Sequence, residues 1–232
     1  MRAKVFAAVL VGAVAAGGGA SAHAEVRAVA AGEATLVDTG GARLRSGGSR
    51  TVFTIRLPSG AACPGDSAND GYRVQSYMVP SSVAPGEVEY DGLGPTPNVY
   101  GDFERFRQAL YDIQTSPFSS GLTAEAPKPG EPGVIVNIPL LSFAVYQVGE
   151  LPPGRYNLGI ACTLRNEPVR YWNTELDVRG AADDRPAGIA WSVASGEGAA
   201  EGSRRPLTSV IGGAALVVLA AFALARRRSV AR

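Results

Sequence analysis

Two cysteines, one histidine and 21 carboxylates are the residues of this 232-residue chain that could do chemistry, and their placement narrows what that chemistry is. His23 lies in an N-terminal segment with the marks of a cleaved leader, so the folded domain keeps no imidazole. A Ser-His-Asp or Cys-His triad is thereby excluded, as is a zinc site built on histidine, and two cysteines cannot by themselves complete a four-ligand structural site. A Ser-Lys dyad would need Lys128, which sits between Pro127 and Pro129 in a loop. A pair of carboxylates could still support glycosidase chemistry, but the acids are scattered and spacing nominates no pair. No catalytic, cofactor-binding or metal-ligating residue is assigned, no cofactor is expected, and any ligand-binding residues are unknown.

Cys63 and Cys162 are expected to pair, because an extracellular compartment is oxidising and no third thiol competes. Two free thiols, or a bond between chains, are the alternatives. An intrachain bond would close a loop of about 100 residues, which chain entropy values at about 4.7 kcal/mol. The stretch from Cys63 to Gly71 has acids where a calcium loop could begin at Asp66, but the third position is Ala68 and the twelfth Tyr77, so it reads as a turn-rich loop. From Asp91 to Gly101 the chain is rich in Gly and Pro and has Tyr90 and Tyr100 at its ends. It reads as a connection, with a recognition surface as the alternative.

The elements that would position these residues are mainly strands. Phe53, Ile55 and Leu57 alternate with polar neighbours, as do Val134, Val136 and Ile138, followed by Leu141, Phe143 and Val145. Tyr156, Leu158, Ile160 and Cys162 form one apolar row, launched by a turn at Pro152-Pro153-Gly154. Trp172, Thr174, Leu176 and Val178 form another, while Tyr72 to Val79 is a strand with mixed faces. One amphipathic helix is predicted: Asp102 is a good N-cap, and Phe103, Phe106, Leu110 and Ile113 recur at spacings of three and four.

The two ends set the compartment. Arg2 and Lys4, an apolar run from Val5 to Ala16 and the Ala22-His23-Ala24 site read as a signal peptide over residues 1–24. Near the other end, residues 207–225 carry no charge, make a helix of about 28 Å, and precede Arg226, Arg227 and Arg228, which predicts a transmembrane helix with a cytoplasmic basic tail over 226–232. An apolar segment with an arginine-rich tail also resembles a wall-sorting signal, but the order Pro206-Leu207-Thr208-Ser209 is not that of an LPxTG motif, so membrane retention is favoured over cell-wall anchoring. Residues 25–179 are the ectodomain, and 180–206 read as a flexible stalk, with the apolar island Ile189 to Val193 inside it as an added edge strand or a docking motif. With leader and tail set aside, 16 Lys and Arg face 21 Asp and Glu, a formal charge of −5 that gives no basis for binding nucleic acid.

Short strands, Pro/Gly turns, and a cysteine ending an early strand answered by Gly-Arg-Tyr-Asn-Leu-Gly-Ile-Ala-Cys over 154–162 resemble an immunoglobulin-like β-sandwich. With the Ala, Gly, Arg and Val bias of a GC-rich genome, the chain is similar to bacterial cell-surface proteins of actinobacterial type. This sequence differs in that Tyr156 precedes Cys162 by six residues instead of two and no tryptophan lies between the cysteines. The resemblance implies a mainly β fold, an immunoglobulin-like sandwich with one inserted helix. The expected role is a non-enzymatic, single-pass cell-surface binding or structural module of unknown ligand, with a membrane-tethered carboxylate hydrolase or an accessory subunit of a membrane complex as alternatives.

Overall fold

The computed structural model describes residues 28–113 and 122–194. The residues read as signal peptide (1–24), transmembrane helix (207–225) and basic tail (226–232), and 195–206 of the segment read as stalk, lie outside the described residues. No helix among the described residues is long and apolar enough to cross a membrane.

The described chain is mainly β and its sheets are largely antiparallel, consistent with a β-sandwich. In order the strands are β1 (Val29–Glu33), β2 (Thr35–Val37), β3 (Ser46–Gly48), β4 (Thr54–Arg56), β5 (Ala62–Cys63), β6 (Tyr72–Pro80), β7 (Glu89–Tyr90), β8 (Pro95–Thr96), β9 (Thr123–Glu125), β10 (Gly133–Val136), β11 (Gly154–Leu164), β12 (Glu167–Gly180) and β13 (Ile189–Val193). The largest sheet runs β6-β11-β12-β13-β3, and β1 joins β12 in parallel at Val29 to Glu33. Opposite it lie β5-β10-β9 and the pair β2-β4, extended by bridges from Phe53 to Leu141 and from Leu141 to Asp112.

The centre of the large sheet is the hairpin β11-β12. Its two-residue connection, Arg165-Asn166, has φ of 54° and 69°, and two successive left-handed residues match the twist of the flanking strands. The register slips between Cys162 and Thr163 opposite Arg170 and Pro168, and a bulge is one of the few strand positions that tolerates proline. The row Tyr156, Leu158, Ile160 and Cys162 is fully buried, as the alternation predicts, and so is the row Trp172, Thr174, Leu176 and Val178. The mixed faces of β6 also have a cause, since both are covered: Val74 and Met78 enter the main core, while Tyr77 and Val79 pack in a second cluster on the outer side.

The cores of the two layers interlock. Leu36, Phe53, Ile55 and Ala124 from one layer meet Leu158, Ile160, Trp172 and Trp191 from the other. The Cys63–Cys162 disulfide joins β5 to β11 across the layers, with Cα atoms 5.5 Å apart, and no cysteine is free. Phe53, Phe143 and Trp191 meet at ring-centroid distances of 5.4 to 6.3 Å, a range in which tilted and edge-on aromatic pairs are favourable.

Two expectations are corrected in detail, and for a third the structure selects the strand from its two readings. The amphipathic helix from Asp102 does not form: after a turn at Asp102 to Phe106 the chain is extended, and Gln108 exchanges both backbone hydrogen bonds with Met78 of β6. Phe106, Gln108 and Leu110 are all buried and Ile113 is exposed, so the run follows a period of two instead of 3.6. In β10, Val134 is exposed and Ile135 packs on the core, because Asn137 at φ 60° ends the strand and breaks the alternation there. The island at Ile189 to Val193 is a strand, seated between β12 and the short outer strand β3, so the sheet continues to Val193.

Candidate functional site

The outer face of the large sheet is partly roofed by the chain from Ser81 to Thr96. A polar ladder pins this roof: the Tyr77 hydroxyl donates to Trp172 O and Asn173 Oδ1, both at 3.1 Å, Asn173 Nδ2 donates to Asn157 Oδ1 at 2.8 Å, and Asn157 Nδ2 donates to Val83 O at 3.0 Å. Gly159 makes room for it, since a Cβ there would stand 2.7 Å from the Tyr77 hydroxyl oxygen and within the contact radius of Trp172 O. Burial pushes the Tyr77, Tyr90 and Tyr146 phenols well above their ordinary value.

Beyond the roof, where it turns back at Asp91 to Gly94, the surface opens into two clefts of about 450 and 620 Å³ that share Arg73 and Gly92. Asp91 shapes the turn: its Oδ1 accepts the N–H groups of Leu93 at 2.7 Å and Gly94 at 3.1 Å, and its own N–H donates to Gly94 O at 2.9 Å. The tight turn leaves Leu93 62% exposed at the cleft edge. Gly94, at φ 144°, lies so close to Ala109 that a Cβ would stand 2.9 Å from the Ala109 methyl.

The floor is the free edge of β6. Antiparallel pairing alternates hydrogen bonds between the two sides of a strand. Since Met78 bonds outward to Gln108, Tyr72 and Val74 also face away from β11. The Tyr72 N–H donates to Asp66 O at 3.1 Å, and Ser76 Oγ accepts the Leu110 N–H at 3.0 Å, which carries the chain off the edge. Between them the Val74 N–H and C=O have no partner among the described residues.

Charge around the clefts is uneven. Arg73 and Arg165 are exposed and make no ion pair among the described residues. Asp70, the acid of the wider cleft, is occupied: its oxygens accept the Asp66 N–H at 2.9 Å and the Gly130 N–H at 3.1 and 2.9 Å. Asp66 closes the same loop from within, accepting from the Asn69 N–H, the Asn69 side chain at 2.8 Å and the Asp70 N–H at 3.1 Å. The Asn69 side-chain and backbone donors hold the Asp66 carboxyl below its ordinary range. The acids that could suggest a calcium loop thus staple a turn, and no group of three or more metal-ligating side chains occurs among the described residues.

The structure separates the two tyrosines at the ends of the 91–101 connection. Tyr90 is buried in the outer cluster, whereas Tyr100 is 46% exposed and shares a 2.5 Å hydrogen bond with the Tyr111 hydroxyl. Sequence reasoning missed the cleft: Arg73 and Arg165 lie 92 positions apart, and only the pairing of Tyr72 with Leu164 brings them together. Comparison of the chain with protein-family models, with curated proteins and with solved structures finds no match.

Proposed function

We propose that this chain is a non-enzymatic cell-surface binding module, held by a C-terminal membrane span after removal of its leader, with the cleft beside β6 as its recognition surface. The observation that carries the reading is the meeting of an unpaired strand edge at Val74, an exposed Leu93 and the unpaired Arg73 guanidinium in one open cleft, with Arg165 in the cleft that adjoins it through Arg73 and Gly92. Grooves with a few convergent polar groups on an otherwise closed surface are where ligands dock. The hydrolase alternative draws no support from the cleft, whose acid is spent on backbone donors.

The ectodomain is read as immunoglobulin-like. Support comes from the cross-layer disulfide, from the flanking of β11 by β6 and β12, from the parallel seat of β1 on β12, and from the Tyr156 hydroxyl, which donates to Pro152 O at 2.6 Å in the manner of a tyrosine corner.

Two measurements on the full-length chain in its own cells test this. An impermeant protease applied to intact cells should cut the ectodomain, and cleavage only after lysis would sink the surface assignment. A photoreactive phenylalanine in place of Leu93 should yield a cross-linked adduct on intact cells that the same group in place of Thr39, on the far turn after β2, does not. No adduct from position 93 would overturn the cleft as a binding surface.

A further inference from the structure

We infer that the cleft takes an extended acidic peptide, one residue of which pairs with Val74 as an antiparallel bridge while its carboxylates meet Arg73 and Arg165. The inference rests on the binding-module reading and deepens it by naming the partner's chemistry.

Three observations converge. The first is backbone demand: Val74 presents one donor and one acceptor outward, on a strand whose next outward pair but one, Met78, already accepts an antiparallel neighbour through N–H and C=O at 2.8 and 3.0 Å. A segment lying along the same edge in the same sense as Gln108 would complete the equivalent bonds at Val74, the mode by which extended peptides add to sheets. The second is charge. Arg73 borders both clefts and Arg165 the wider one, neither guanidinium is neutralised by a side chain among the described residues, and the acid beside them is taken up by backbone donors. Two guanidiniums therefore face one carboxylate, Asp70, along the clefts of a domain whose total charge is negative, and a guanidinium pairs with a carboxylate in a planar fork. The third is side-chain alternation. Leu93 and Leu122 line the narrower cleft and the arginine lies beside it, so a strand crossing at Val74 would set an apolar group on one side and an acidic group on the next.

A helix in this cleft would not satisfy Val74, because its backbone groups bond within the helix. A basic or phosphate-free neutral peptide would leave the two guanidiniums unpaired.

The test selects displayed random ten-residue peptides on the full-length protein, purified in detergent. Enriched sequences should alternate apolar and acidic residues. A selected peptide should lose at least tenfold in affinity on Arg73→Glu, and a similar factor when the backbone nitrogen facing Val74 is methylated. Arg73 is exposed, so the substituted chain keeps its core, and the methylated peptide leaves the protein untouched. Enrichment of basic or uncharged sequences, indifference to Arg73→Glu, or indifference to methylation would each overturn the inference. Failure to enrich any sequence would overturn it too. If the cross-linked adduct at position 93 still forms in that case, the binding module stands and only the acidic peptide falls; if the adduct is also absent, both fall.

Discussion

At the scale of single residues, close approach and local hydrogen bonding govern what each position tolerates. Gly159 is held against the Trp172 carbonyl with the Tyr77 phenol above it. Gly159→Ala should therefore cost about 3 kcal/mol, since an inserted methyl must displace backbone as well as a side chain. Urea denaturation reads this directly, and an unchanged midpoint would show that the approach is looser than described. Asp66 carries a pH signature. Its folded carboxyl is acidified by Asn69 donors, so its contribution is present above the unfolded value of about 3.9 and is lost as pH falls through the lower folded value. Comparing denaturation midpoints of the parent and Asp66→Asn between pH 3 and pH 7 should show the gap closing in acid. A gap independent of pH would place the effect elsewhere than the charge.

At the scale of elements, the hairpin connection and the extended run after Asp102 show two different kinds of legibility. Arg165-Asn166 joins strands through two left-handed residues, a conformation that asparagine accepts and β-branched residues resist. Asn166→Val should lower stability by about 1 to 2 kcal/mol, whereas Asn166→Gly should hold or raise it. Equal midpoints for the two variants would contradict the turn geometry. The Phe103, Phe106, Leu110, Ile113 pattern satisfies a helical stripe, yet Phe106 and Leu110 also satisfy a strand. What decides is Gln108: its N–H and C=O serve Met78, and its buried side chain donates to the Oδ1 of exposed Asn98. A non-local partner outweighs the local preference, and no window of sequence contains both members of that pair.

At the scale of the whole molecule, the disulfide ties the two layers at their centre. Reduction, or replacement of both cysteines by alanine, should lower stability by roughly 4 to 5 kcal/mol for a bond across 99 positions. Chemical denaturation with and without reductant measures the loss, and a change under 1 kcal/mol would mean that the layers hold together without it. Because both layers share one aromatic core, loss of secondary structure and of tryptophan environment should coincide in a single transition. Two separated transitions would show that the layers melt independently.

The sequence by itself determined the mainly β character, the cysteine pair and the inward rows of β11 and β12. Alternation, cysteine count and turn residues are local properties that burial reads without knowing which strands are neighbours. Tertiary structure alone decided that the 102–113 run is extended, that both faces of β6 are covered, that Ile189 to Val193 closes into the sheet, and that Arg73, Leu93 and Arg165 surround one open strand edge. Each of these depends on backbone hydrogen bonds and contacts between segments tens of residues apart, and whether a backbone group is left unpaired depends on every other segment that could have reached it.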